Sequence, residues 1–377
     1  MNLTSNPIFK DKEFLISHIK SIMRFYHPRC IDNENGGFFQ HFRDDGSVYD
    51  FDTRHLVSST RFIFNYSMAS IELDNDEYKD VIRHGIEYLR QFHLNTKTGS
   101  YAWILEGKDV QDSTNYCYGF AFVLLAYSTA LRAGILEAKD FIDETFDVME
   151  KHFWSKEHEL YSDEISADWQ VVSSYRGQNA NMHSCEALIM AFEATGSQKY
   201  LDRALIIAKN ICIRQASLAE GLIWEHYDSN WEINWVYNKD RPDDLFRPWG
   251  FQVGHLTEWA KLLLILERHV KEDWLLPRAQ ELFDDAIEMG WDAESEGLFY
   301  GFSPNGDICD KDKYFWVQAE SIAAAAVLAN RTGDDYYWEW YDRIWSYSWK
   351  HMIDHKYGAW FRILDSNNNK YDNLKSP

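Results

Sequence analysis

The sequence predicts an all-α fold, an (α/α)6 barrel with short β-hairpin turns at one end, and three observations carry that expectation. One turn motif recurs six times at a nearly even interval. Two kinds of helix alternate between the turns. No segment rich in Pro, Gly or Ser interrupts the pattern, so residues 1–377 are read as a single domain.

The turn is a Gly that follows a short polar or acidic stretch and precedes aromatic and apolar residues. It occurs in NENGGFFQHF at Gly37, TKTGSYAWIL at Gly99, AEGLIWEHY at Gly221, SEGLFYGF at Gly297 and DHKYGAWFRIL at Gly358, and KEHELYSDEI is a degenerate copy with Glu159 in the Gly place. Positions 37, 99, 159, 221, 297 and 358 lie 62, 60, 62, 76 and 61 residues apart. Solenoid repeats are shorter, so each unit must hold about two helices and a turn. Gly supplies the positive φ that a tight turn needs.

The intervening segments agree. DTRHLVSSTRFIFNYSMASIEL and STNYCYGFAFVLLAYSTALRAG read as long apolar helices, whereas NDEYKDVIRHGIEYLRQFHL and EAKDFIDETFDVMEKHFW are amphipathic. The same alternation returns in NANMHSCEALIMAFEATG and QKYLDRALIIAKNICI, and again further along. Apolar helices fit an inner ring packed on both sides, and amphipathic ones an outer ring with one wet face. The longest interval contains an extra loop at about 228–248, and long loops at a barrel mouth tend to serve the site. The tail DSNNNKYDNLKSP is polar and is expected to fray.

Composition narrows the function classes. A net charge of −22 repels phosphate backbones and anionic lipid, so no nucleic-acid and no membrane partner is expected. No apolar run approaches the ~20 residues of a span, and MNLTSNPIFKDKEF has no apolar leader core. The five cysteines are odd in number, scattered and without C-x-x-C, as suits reduced thiols; a cytoplasmic location is expected. Sixteen Trp suit either an aromatic helical core or stacking on sugar rings. P-loop, dinucleotide, zinc-protease and hydrolase-elbow motifs are all absent.

The candidate chemistry lies in polar residues inside the apolar helices. In YRGQNANMHSCEA, Asn179, His183 and Glu186 fall at i, i+4 and i+7 on one stripe. In FRPWGFQVGHLTEW, His255 and Glu258 are i, i+3; His351 precedes the sixth turn; Trp316, Gln318 and Glu320 share a helix start. Burying a His–carboxylate pair costs desolvation, so several of them suggest a lined cavity. Three readings stay open on spacing alone: acid–base catalysis by His, a divalent metal on two H-x-x-E steps, or structural His held by carboxylates. Arg54, near the start of the first apolar helix, either holds sugar hydroxyls or makes an ion pair.

At these residues the chain resembles the N-acylglucosamine 2-epimerase superfamily, over nearly its whole length, and RGQNANMHSCEA with FRPWGFQVGHLTEWAKLL resembles its mannose isomerase branch. The resemblance implies an (α/α)6 barrel, no metal and no cofactor, and a small-molecule monosaccharide as the partner. It implies His255 and His351 as the proton-transfer pair, with Glu258 the carboxylate paired with the middle His. Arg54, Asn179, His183, Trp316 and Gln318 match substrate-binding positions. Where the superfamily often has His, this chain has Tyr118. The implied chemistry is removal of the C2 proton of an open-chain aldose by imidazole, through a cis-enediolate, with return to C1 giving a ketose such as fructose from mannose. Return to C2 from the other face gives the epimer; sulfoquinovose is a rival substrate. A glycoside hydrolase or lyase, which needs two flanking carboxylates, and a carbohydrate-binding barrel are rivals of other classes.

Overall fold

The structure, a computed structural model, describes residues 7–244 and 246–376. It is mostly helical. Eleven helices lie among the described residues: α1 (Lys12–Tyr26), α2 (Leu56–Leu73), α3 (Tyr78–Tyr88), α4 (Cys117–Arg132), α5 (Ala138–His152), α6 (Gln178–Thr195), α7 (Gln198–Lys209), α8 (Val253–Glu267), α9 (Leu275–Gly290), α10 (Phe315–Thr332) and α11 (Asp335–Tyr347). None is long and apolar enough to cross a membrane.

The alternation expected from the sequence is present. In α4, thirteen of sixteen residues are buried, so it is enclosed all round. In α5, burial is confined to Ala138, Ile142, Thr145, Phe146 and Met149, a single stripe at helical spacing. Spacing of this kind forms helix because the apolar stripe has somewhere dry to go, more than because of intrinsic propensity.

The chain divides into two compact units. One comprises Met23–Asn210, Tyr227–Glu232 and the last two residues; in it α2, α4 and α6 pack side by side, and each packs on the helix that follows it. The other comprises Met1–Ile22, Ile211–His226 and Ile233–Lys375; in it α8 packs on α9 and α10, and α10 on α11.

The recurring turns share one register. Residue i bridges residue i+7 at Ile31 and Phe38, Leu94 and Tyr101, Trp154 and Tyr161, Trp291 and Leu298, and Ile353 and Trp360. The positive φ falls where the sequence places the Gly, and Glu159 adopts it as well, at 52°. Close approach adds a second reason for Gly: a Cβ on Gly37 would collide with the ring of Tyr88, and one on Gly297 with the ring of Tyr347.

Three turns carry a buried ionic lock. Asp32 Oδ1 accepts from the amides of Glu34 and Asn35 at 3.0 and 2.9 Å, while Oδ2 accepts from Arg54 at 2.9 Å. Asp292 repeats this with Glu294, Ser295 and, at 2.8 Å, Lys313. Asp354 repeats it with Lys356, Tyr357 and, at 2.6 Å, Lys375. Arg54 and Lys313 each stand two residues before an inner helix, so the lock fastens a turn to the segment that launches the next helix.

The expected fraying of the tail is thereby corrected. Lys375 is 1% exposed, and its ammonium also donates to Gly358 O at 2.7 Å. A lysine at the end of a polar stretch is drawn inside because a carboxylate and a carbonyl there replace its water. Among the described residues of 228–248 there is no helix, as the extra loop requires. All five cysteines are free thiols.

Candidate active site

In the unit built on α8 to α11, the first turn of α8 presents His255. Its Nδ1 lies 2.9 Å from Glu225 Oε1, and both side chains are more than nine-tenths buried. A carboxylate that accepts from Nδ1–H holds the proton on that nitrogen and leaves the lone pair of the neutral ring on Nε2. The ring of Trp316, half-buried in the first turn of α10, lies 5.2 Å from the imidazole at 34°. Gly254 makes this possible, since a Cβ there would strike the indole. The edge of Tyr300 braces the indole at 5.8 Å, and Tyr300 stacks on Tyr314 at 3.9 Å. Glu258 is buried one turn along α8 from His255. The carboxylate that meets His255 Nδ1 is Glu225, thirty residues upstream, where the family resemblance implied Glu258.

In the unit built on α2 to α7, His183 of α6 is buried with Nδ1 3.2 Å from Glu186 Oε2. Tyr118 meets its ring edge-on at 5.1 Å, and Phe122 lies 4.9 Å away. The guanidinium of Arg61, from α2, sits 5.0 Å over Phe122. Asn179, on the same helix, has a buried carbonyl oxygen with no partner among the described residues. Such an orphan is uncommon and marks an acceptor kept for water or a ligand. The His183–Glu186 pair has the chemistry of metal ligands as well as that of a proton-transfer or orienting pair.

Two residues expected to bind sugar do other work. Arg54 is 1% exposed, donates to Asp32 and to Thr53 O, and lies over Phe39. Gln318 has no exposed area, and its amide both accepts from Leu298 N at 3.0 Å and donates to Leu298 O at 2.9 Å. Asn181 does the same for Tyr161. Arg54 and Gln318 thus fasten the turns, and Arg54 Nε remains without a partner among the described residues.

His351 is not on an inner helix. It lies in the π-helical turn Ser348–Met352 that ends α11, with its ring 5.2 Å from Tyr347. Burial and the neighbouring Lys350 lower its pKa. The corresponding turn Leu89–His93 after α3 has Phe92 in the same relation to Tyr88, at 5.0 Å. His351 and Phe92 thus hold equivalent places in the repeat. Sequence reasoning missed Glu225 and Arg61. Arg61 had a signal, a cation in mid-helix among apolar residues; Glu225 had only its place between Trp224 and His226.

The family model for N-acylglucosamine 2-epimerase (GlcNAc 2-epimerase) matches residues 37–377. The chain belongs to the N-acylglucosamine 2-epimerase family. A D-mannose isomerase of Marinomonas mediterranea is 58% identical over 374 residues, covering 99% of this chain and 94% of that protein. A crystal structure of D-mannose isomerase superposes with a TM-score of 0.97 at 58% identity, over 99% of this chain and 95% of that one. A cellobiose 2-epimerase from Bacillus thermoamylovorans shares the fold, with a TM-score of 0.85 at 17% identity over 97% and 95% of the two chains.

Proposed function

We propose that this chain is an aldose–ketose isomerase that interconverts D-mannose and D-fructose, and that its architecture is an (α/α)6 barrel in one domain over residues 1–377. The observation that carries the chemistry is the His255–Glu225 pair beneath the Trp316 indole. Imidazole with its lone pair on Nε2 is a base of near-neutral strength. The hypothesis is that His255 Nε2 takes the C2 proton of the open-chain sugar, with Glu225 stabilising the imidazolium that forms. The cis-enediolate has its O1 and O2 on one side, so the O2 hydroxyl proton can pass to O1; the imidazolium then returns its proton to C1 from the face it left, which leaves the carbonyl at C2 and the hydroxyl at C1. One base on one face makes a ketose; an epimer requires a proton delivered to the opposite face. Trp316 offers an apolar ring to the sugar's C–H face. Sugar-contacting roles are assigned to Glu258, Asn179, His183 and Arg61, and His351 is placed outside the reacting pair. A metal is not required by this chemistry, and a cytoplasmic metabolic role follows from the reading.

The test is proton NMR of EDTA-treated protein with D-mannose in D2O. Fructose with deuterium at C1, or with partial internal transfer, supports the isomerase. Glucose with deuterium at C2 makes the chain an epimerase and calls for a second proton donor on the opposite face. No product and no exchange removes mannose as the substrate, and sulfoquinovose is then tried. Release of reducing ends from a mannoside would identify a hydrolase.

A further inference from the structure

Glu225, which orients His255, is flanked by two residues that hold the long segment 234–250. Trp224 and His226 both contact that segment, while the side chain between them turns to His255, as successive side chains of extended backbone do. Trp224 Nε1 donates to Asn234 O at 3.1 Å, and its indole packs on Trp235 at 4.7 Å. His226 is 1% exposed; its Nε2 is 2.7 Å from Pro248 O, and its ring lies 4.8 Å from Tyr237. Only a donor satisfies a carbonyl, so Nε2 carries the proton. Burial lowers the pKa of His226 and keeps the ring neutral, which suits this single-donor role. The segment is cross-tied as well: Trp249 Nε1 donates to Trp235 O at 2.7 Å, and Asn238 Nδ2 to Arg247 O at 2.8 Å.

We propose that His226 is a positioning residue: by fastening segment 234–250 through Pro248 and Tyr237, it fixes the backbone that aims Glu225 at His255, so the loop's seating and the base's orientation are one mechanical unit. The loop is then more than a cover. Releasing it turns Glu225 away from Nδ1, and the imidazole loses both its tautomer and its angle. Nothing in the stripe of inner-helix residues would reveal this, because His226 lies outside that stripe. The inference rests on the proposed role of His255, and its test is arranged so that the two can fail separately.

The experiment compares His226→Phe, which keeps a ring and removes the donor, with His226→Gln, whose amide N–H can reach the same carbonyl. Tyr237→Ala, at the loop, is the second variant if the buried substitution does not fold. Two readouts are taken. The first needs no sugar: the hydrogen-bonded Nδ1–H resonance of His255, assigned by its loss in His255→Asn. It is expected to shift or broaden in His226→Phe and Tyr237→Ala and to remain in His226→Gln. The second is turnover of mannose. His226→Phe is expected to lose at least ~10-fold in kcat with KM nearly unchanged, the pattern of a misplaced catalytic group, and His226→Gln to recover most of it. An unchanged His255 resonance in His226→Phe and Tyr237→Ala overturns the inference. Wild-type protein that leaves mannose untouched overturns the mannose reading, and the resonance still decides the role of His226.

Discussion

Glu225 Oε1 stands 2.9 Å from His255 Nδ1, the only carboxylate that the hydrogen bonds described above bring to that nitrogen. Glu225→Gln keeps the shape and an acceptor oxygen but removes the charge that steadies an imidazolium. Its kcat on mannose is expected to fall by roughly 10–100-fold, with KM and melting temperature little changed. His255→Asn is expected to abolish C2 exchange in D2O. Substantial exchange in His255→Asn would remove the base from the mechanism.

His351 and Phe92 hold equivalent places against Tyr347 and Tyr88. His351→Phe, which copies one turn of the repeat into another, is expected to keep at least about half of wild-type turnover, since a packing position tolerates a ring of similar shape. Loss of exchange in a folded His351→Phe protein would instead restore it as the proton carrier.

Two arginines near the start of α2 should separate cleanly. Arg54 is locked to Asp32, so Arg54→Met should lower stability by ~3–5 kcal/mol, because it strands a buried carboxylate. Urea unfolding measures this, and the folded fraction should keep its KM. Arg61→Ala should leave the urea midpoint nearly unmoved and raise KM for mannose. The opposite pattern would return the sugar-binding role to Arg54.

Lys313→Met is expected to destabilise by a similar ~3–5 kcal/mol, and Lys313→Met with Asp292→Asn to recover much of the loss by removing the orphaned charge. An additive double variant would show that the lock contributes no pairing energy.

The same locks set the acid limb. Burial by itself would raise Asp292 and Asp354, but hydrogen bonds from Lys313 and Lys375 and from two amides each outweigh it and hold both carboxyls below the ordinary aspartate range. Folded pKa values lie below the unfolded value of ~3.9, so the unfolded chain binds more protons there. This stability is fully present above about pH 4 and is lost as pH falls through the folded values. Burial also lowers Lys313, an opposing effect confined to alkaline solution. Melting temperature against pH from 6 down to 3 should therefore fall less steeply in Asp292→Asn than in wild type.

The sequence shows the repeat plainly because positive φ and two-sided burial leave residue signatures: Gly at the turns, and uninterrupted apolar runs such as that of α4. His255 and His183 were visible because His and Glu inside apolar helices demand a reason. Glu225 was invisible because its relation to His255 is tertiary, with no spacing to count. Asp32 could not be named as the partner of Arg54, because a buried arginine before a helix looks the same whether its partner is a sugar or a carboxylate. The tail was misread because polar composition does not disclose that Asp354 waits for Lys375.

The locks also make part of the chain mechanically redundant. Between Asp292 and Lys313 lies the exposed tip at Pro304–Asp307, so a protease that severs the backbone there leaves the two new ends clasped by a buried ion pair. The nicked protein would run as two fragments in denaturant yet travel as one particle without it, and the same clasp makes this tip a place where new termini could be opened or a foreign domain spliced in.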